Sequence, residues 1–327
     1  MFDGKKILIT GGTGSLGTAL TKKLLETNVD TIRIFSRDEL KQIKMQDQLK
    51  NKKLRFLIGD IRDKERLTRA MEDIDIVFHT AALKHVPVAE YNPFEAIKTN
   101  VLGTQNVIES SLDNNVELVL AIGTDKAVSP LNTYGATKLL MERMVTSANF
   151  YKGKHKTNFL CVRYGNVLGS RGSVLPKFLE QIKNNQGLTI TDPKMTRFNI
   201  SMNQAIELIF RAVKMGMGGE IFVPKLKAYT VGELKDAVME LKNYNIQIQK
   251  ISVRQGEKYH EILINQDEIP YTYESKEDYI IMIEGIKNLS SNKNIKKVDF
   301  SESYSSDKAP LLSKNELKEI ISNEEFL

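Results

Sequence analysis

The stretch KKILITGGTGSLGTALTKKLLET, Lys5 to Thr27, decides the fold. Lys5 to Thr10 is short, apolar and β-branched, the pattern of a buried strand. Gly11, Gly12, Thr13, Gly14, Ser15, Leu16 and Gly17 follow at once, and an amphipathic helix begins there. The glycines at 11, 14 and 17 divide three tasks: one permits the tight turn, one lets backbone approach a pyrophosphate, and one lets the helix pack on the strand. The pyrophosphate then lies at the helix N-terminus, where free N–H groups and the dipole favour anions. A glycine triplet alone is a weak signal. Placed between a strand and a helix, it has the context that dinucleotide binding requires.

Outward from this turn the pattern repeats. Apolar runs at TIRIF (31–35), LRFLIG (54–59), DIVFHT (75–80), VELVLAI (116–122) and TNFLCVRYGNVLG (157–169) alternate with helical segments. Such alternation predicts an α/β fold: a Rossmann-like, doubly wound parallel sheet with helices on both faces. The second half is less regular and reads as a smaller C-terminal substrate lobe. The expected division is a dinucleotide-binding domain over 1–166, a mainly substrate-binding lobe over 167–288 with some segments returning to the first domain, and an extension over 289–327. Leu289 to Ser306 is polar and reads as a linker or surface crossing. Ser313 to Glu316 reads as a capping box opening a last helix.

Ligands of such sheets bind at the carboxyl ends of the strands. The residues found there form one set. Ser36 and Arg37 end the second strand, where a hydroxyl and a guanidinium suit a 2′-phosphate, which favours NADP over NAD. Asp38 argues the other way, and Lys41 adds charge. Asp60 ends the third strand, placed to accept from an adenine amino group or to cap the next helix. Ala81 and Ala82 let backbone pass close to a cofactor, and Lys84 reaches for a phosphate or sugar hydroxyl. Asn100, at a helix start, bonds to neighbouring backbone on the plainer reading. Asp125 and Lys126 end the fifth strand. Tyr134 and Lys138 follow, four apart and so on one helical face. A phenol beside an ammonium ionises more readily, so the pair suits proton removal from a hydroxyl during hydride transfer. Tyr304 and Lys308 have the same spacing without that context. The adjacent acid and amine at 125 and 126 suit a second proton transfer; the plainer reading is a turn cap beside a solvated lysine. Arg197 and Arg254 are the cations expected to face a diphosphate.

Composition bounds the rest. The 327 residues, 41% hydrophobic, support a large core, and the net charge of +6 is mild. No basic face interleaved with aromatics suggests nucleic acid. The one cysteine, Cys161, lies in the apolar run NFLCV and reads as buried. The four histidines show no metal-ligand spacing. No apolar run approaches about 18 residues, and the start has no signal-peptide pattern, so a cytoplasmic protein off the membrane is expected.

TGGTGSLG together with the Tyr134–Lys138 pair resembles the extended short-chain dehydrogenase/reductases. More narrowly, FSRDELKQ (35–42), GDIRD (59–63), AALKHVP (81–87), TDKAVSPLNTYGATK (124–138), RYGNVLGSRGSVLP (163–176), TDPKMTRF (191–198), GGEIFVPK (218–225) and RQGEKYHE (254–261) resemble UDP-N-acetylglucosamine 4,6-dehydratases. The soluble C5-inverting enzymes of pseudaminic acid biosynthesis are the nearest kind. The resemblance spans nearly the whole chain. It implies a tightly held, recycled NADP, a UDP-sugar substrate and a homo-oligomer. It implies that Gly12, Thr13, Gly14, Ser15, Ser36, Arg37, Asp38, Lys41, Asp60, Ile61, Lys84, Tyr134, Lys138, Val167 and Arg171 touch NADP. Lys84, Asn166, Val174, Lys177, Arg197, Arg254 and Glu257 are then expected to touch the UDP-sugar.

The same resemblance implies the chemistry. Tyr134, its pKa lowered by Lys138, takes the C4 hydroxyl proton as hydride leaves C4. Lys126 removes the C5 proton, Asp125 protonates the departing C6 hydroxyl, hydride returns to C6, and reprotonation of C5 from the opposite face inverts it. Lys126 must then be neutral, so its pKa is expected well below the free value of about 10.4. Two positions depart from the pattern: Asn199 stands where relatives often carry an aromatic, and Gln255 where they usually carry proline. The missing proline is expected to loosen a substrate-side loop. The alternatives are a C5-retaining or 5,6-ene-releasing dehydratase, a UDP-hexose 4-epimerase or sugar reductase, and a non-catalytic NADP-binding regulator.

Overall fold

A computed structural model describes residues 1–170, 172–244, 248–282 and 295–323. Six parallel strands build the first half: β1 (Lys6–Thr10), β2 (Thr31–Ser36), β3 (Leu54–Ile58), β4 (Ile76–His79), β5 (Leu118–Ile122) and β6 (Asn158–Val162). Their sheet order is 3-2-1-4-5-6. The order reverses between β1 and β4, and a crevice opens at their carboxyl ends. Crossover helices cover the faces: α1 (Ser15–Leu25), α2 (Glu39–Leu49), α3 (Lys64–Ala70), the short α4 (Val86–Tyr91) and α5 (Pro93–Ile97), α6 (Gly103–Asp113) and α7 (Thr133–Tyr151).

Local chemistry explains the elements that matter to the site. In α1, Gly17, Leu20, Thr21 and Leu24 are buried at helical spacing, while Lys22 and Lys23 lie in the last turn, where cations complement the dipole. Burying Leu20 and Leu24 is worth about 1.5–3 kcal/mol each. Asn132 caps α7 by accepting from Gly135 N. The buried stripe of α7 runs through Tyr134, Lys138, Met141, Glu142 and Val145. Both polar residues of the candidate pair therefore lie on the face that packs inward.

Beyond β6 the chain leaves and returns. β7 (Asn166–Val167), α8 (Val174–Lys183), β8 (Leu188–Ile190) and β9 (Thr196–Ile200) lie outside the main sheet. Then α9 (Met202–Met215), opened by a Ser201–Gln204 capping box, packs back beside α1, with Phe2 and Phe210 ring centroids 4.9 Å apart. β10 (Ile221–Pro224) joins β6 in parallel. After β11 (Ala228–Thr230), α10 (Val231–Leu241), β12 (Ile248–Lys250) and β13 (Ile262–Ile264), the strands β14 (Thr272–Glu274), β15 (Asp278–Ile281) and β16 (Lys296–Lys297) extend the large sheet antiparallel.

A second core holds Leu175, Phe178, Leu234, Val238, Leu317 and Ile321. It brings together α8, α10 and α11 (Lys314–Asn323), with Lys314 and Lys318 both paired to Glu240 of α10. α9 packs on the main core, β10, β14 and β15 join the large sheet, and the last helix completes the smaller core. Ser313 and Glu316 bond reciprocally at the start of α11, as the capping box requires. Of the expected linker, residues 289–294 lie outside the described residues. Its later part is structured: Lys296–Lys297 pairs with β14, and β17 (Tyr304–Ser305) pairs with β13. Cys161 is fully buried on β6.

Candidate active site

The glycine turn forms the cradle expected of it. Gly11 has φ +65°, and a Cβ there would stand 2.7 Å from Ala81 Cα. Only glycine supplies that conformation without strain while letting the β4 loop pass this close. A Cβ on Gly17 would stand 2.6 Å from Gly12 Cα, so the helix start packs directly on the turn. Gly14 precedes α1 at its N-cap position, with no side chain to block the first free N–H groups. These gaps fit a dinucleotide whose pyrophosphate takes the place of side chains. Beside the cradle lies a cavity of about 400 Å³ lined by Thr13, Ser15, Lys22, Lys41, Lys44 and Gln48 among others.

The strand-end residues beyond the cradle have definite partners. Ser36 is buried, accepting from Thr13 Oγ1 at 3.2 Å and from Gln42 Nε2 at 3.1 Å. Arg37 is exposed and reaches Asp60 at 3.5 Å. Asp38 caps α2 through Lys41 N and pairs with the Lys41 ammonium. Asp60 is not the cap of α3; Asp63 is, and Asp60 instead accepts a fork from Arg62. Ile61 is buried, and its carbonyl accepts from Asn106. Asn100, 2% exposed, bonds Leu83 in both directions and reaches Thr137. It therefore ties the loop of Ala81, Ala82 and Lys84 to α7. Leu16 packs on the main core, Ala82 and Lys84 are exposed, and Val167 pairs with Ile200. Arg171 lies outside the described residues.

At the end of β5 the chain forms a polar cluster. Asp125 is fully buried. Its Oδ1 accepts from Thr124 and from Lys126 Nζ, each at 3.0 Å, while Oδ2 is buried without a partner. Lys126 Nζ also donates to Asn166 Oδ1 at 3.0 Å and lies 3.4 Å from Glu261 Oε1. Arg197 approaches Glu261 at 3.9 Å and pairs with Glu257 at 3.0 Å. Lys177 feels the charges of both Arg254 and Glu257, so this trio also shares one corner. Val174 begins α8 alongside, half-buried.

Two electrostatic expectations fail here. Burial disfavours the Lys126 ammonium, but Asp125 and Glu261 outweigh it and hold its pKa above the ordinary value. Asp125 is pushed up, mainly by burial and further by Glu261, against the pull of Lys126. Lys138 does not lower the Tyr134 pKa. Burial pushes the phenol up to about 12, and the groups opposing this are Lys126 and a hydrogen bond with Thr124. The Lys138 ammonium is turned to Ile122 O at 2.6 Å and Met141 Sδ at 2.8 Å, and burial brings it down to about 8.

The other tyrosine–lysine spacing is structural. Tyr304 Oη bonds both backbone groups of Leu226, and Lys308 pairs with Glu302. The loop with Gln255 is held without a proline, because Asn132 Nδ2 donates to Gly256 O and Lys258 Nζ to Val128 O. Buried Asn199 leaves its Oδ1 without a partner. Sequence reasoning passed over Thr124 and Glu261, although they open and close quoted motifs. It also passed over the buried Glu142–Arg163–Glu268 network behind α7.

A glycine cradle at a parallel switch point, with Tyr134 and Lys138 on the helix after β5, defines the extended short-chain dehydrogenase/reductase class. Residues 7–283 match the family described as polysaccharide biosynthesis protein, and the chain belongs to that family. It is 47% identical to an uncharacterized membrane protein of Methanocaldococcus jannaschii, over 99% of this chain and 97% of that one. It is 45% identical to an inverting UDP-N-acetylglucosamine 4,6-dehydratase of Campylobacter jejuni, over 99% of each. A UDP-glucose 4-epimerase of Rickettsia bellii is 41% identical over 100% of this chain and 98% of its own. The X-ray structure of Pen from Bacillus thuringiensis superposes with a TM-score of 0.95 at 42% identity, covering 100% of both chains. Among the described residues, no helix is long and apolar enough to cross a membrane.

Proposed function

We propose that this protein is an NADP-dependent, C5-inverting UDP-N-acetylglucosamine 4,6-dehydratase serving surface-glycan biosynthesis in the cytoplasm. The observation that carries this reading is the pair of buried Asp125 and half-buried Lys126, an acid and an amine beyond what hydride transfer alone requires. The dehydratase relative at 45% identity supports it.

Tyr134, with Thr124 and Lys126 beside its phenol, takes the C4 hydroxyl proton as C4 is oxidised. Bound NADP supplies the hydride acceptor for C4 and the hydride donor for C6. Gly11, Gly12, Thr13, Gly14, Ser15, Leu16 and Gly17 would hold its pyrophosphate side. Ser36, Arg37 and Lys41 would hold its 2′-phosphate, a preference over NAD that the basic cavity beside the cradle supports. The 4-ketone acidifies the C5 proton. A proton passing from Lys126 to Asp125 across their 3.0 Å contact makes the amine a base and the carboxyl an acid in one move. Lys126 then takes the C5 proton, Asp125 protonates the C6 hydroxyl, and water leaves. Reprotonation at C5 from the opposite face inverts that centre. Lys84, Asn166, Val174, Lys177, Arg197, Arg254 and Glu257 would hold the UDP-sugar.

A homo-oligomer belongs to the same reading. Tyr91, at 88% exposure, and Phe94, Leu140, Phe150 and Tyr151 leave apolar surface on α4, α5 and α7.

The Rickettsia relative keeps 4-epimerisation in view. That reaction uses the tyrosine–lysine pair but gives Asp125 and Lys126 no task. Incubation with UDP-N-acetylglucosamine in D₂O, followed by NMR, separates the two. Deuterium at C5 with loss of the C6 oxygen is expected; a 4-epimer with intact C6 would overturn the proposal.

A further inference from the structure

Glu261 is 3% exposed and has no part in the scheme above. Its main chain is locked: its N–H donates to Ser306 Oγ at 2.9 Å, and its carbonyl accepts from Ser306 N at 2.8 Å. Oε1 lies 3.4 Å from Lys126 Nζ, and Oε2 is buried without a partner. Lys126 thus stands between two buried carboxylates, each with one oxygen near the ammonium and one left over.

We propose that Glu261 is a positioning residue for dehydration, whose carboxylate, acting through Lys126, keeps one proton shared between Lys126 and Asp125. The inference rests on the reading of those two residues as base and acid. With one proton, the pair exists as ammonium and carboxylate or as amine and carboxylic acid. The second arrangement is the reactive one. Losing the shared proton disarms the acid, and gaining a second disarms the base.

A fixed negative charge at 3.4 Å makes the pair keep its proton to higher pH and accept a second one at higher pH. Both limbs of the pH–rate profile therefore move together. Among the described residues, the other titratable groups that act on the cluster include two cations and two phenols. Arg197 is already engaged by Glu257, and Lys258 donates to Val128 O. Tyr134 and Tyr229 are both raised by burial. Glu261 is thus the carboxylate nearest Lys126 that no step of the scheme consumes.

The test is the pH profile of kcat for UDP-N-acetylglucosamine dehydration by the cofactor-loaded full-length enzyme. Glu261→Gln is expected to move both limbs down by about 1–3 pH units. Glu261→Asp keeps the charge but withdraws it by a methylene, and should move both limbs the same way by less. It also serves if the glutamine variant does not fold. Limbs at the wild-type pH in a folded variant, whatever the height of kcat, would overturn the proposal and leave Glu261 a structural residue. A wild-type enzyme that leaves the C6 oxygen in place would instead overturn the dehydratase reading itself.

Discussion

Lys126 Nζ lies 3.0 Å from Asp125 Oδ1, and the other oxygen of that carboxylate is buried with no partner. The contact joins the two groups that the proposed elimination needs, and it separates their single variants. Asp125→Asn and Lys126→Ala should each slow dehydration by about 10²–10⁴-fold, the usual scale of one acid or base. Asp125→Asn, with no Asp125 carboxylate to take the Lys126 proton, should keep the C6 oxygen and exchange the C5 proton of recovered UDP-sugar in D₂O only as pH rises. Lys126→Ala should keep the C6 oxygen without exchanging the C5 proton at any pH. NMR of the recovered sugar reads both outcomes. Full dehydration by Lys126→Ala would remove that residue from the role of base.

Arg37 is exposed and held only loosely by Asp60 at 3.5 Å, so its guanidinium is available to a phosphate. Arg37→Ala should weaken NADP binding by about 10–100-fold, the worth of one charge-assisted contact, and leave NAD nearly unchanged. Calorimetric titration of cofactor-stripped protein with each dinucleotide checks this. Equal losses for both would remove Arg37 from the 2′-phosphate.

Lys138 carries a cost in stability. Its folded pKa, about 8, lies below the ordinary 10.5, so the unfolded chain binds this proton more tightly. Stability from this group therefore rises as pH climbs from about 8 to 10.5, and the penalty is fully present below that window. Lys138→Met should raise the stability of cofactor-stripped protein at neutral pH by up to about 3 kcal/mol, with the gain gone by the top of the window. Activity should be lost. Urea unfolding at the two ends of the window measures the difference.

Arg163, 1% exposed, bonds Glu142 of α7 and Glu268 beyond β13. Arg163→Met leaves two buried carboxylates without their cation. It should cost about 3–5 kcal/mol in urea unfolding. Adding Glu142→Gln and Glu268→Gln should recover part of that loss. A single variant as stable as wild type would show that the network carries little.

The sequence by itself determined the parallel sheet, its glycine turn and the strand-end set. These depend on local signals: β-branched runs, helical periodicity and glycine where backbone must pass close. It also separated Tyr134 from Tyr304, because only the first follows a strand of that sheet. The state of the cluster depended on tertiary structure. The sequence reading required a Lys126 of lowered pKa and a Tyr134 eased by Lys138. Folding instead brings Glu261, more than a hundred residues downstream, against Lys126 and turns Lys138 toward Ile122 O. Likewise the last helix reads as a tail along the chain, yet it completes a core with α8 and α10. Charge acts through space over a few ångströms in a poorly screened interior. Sequence distance carries no record of which carboxylate will be buried beside which amine.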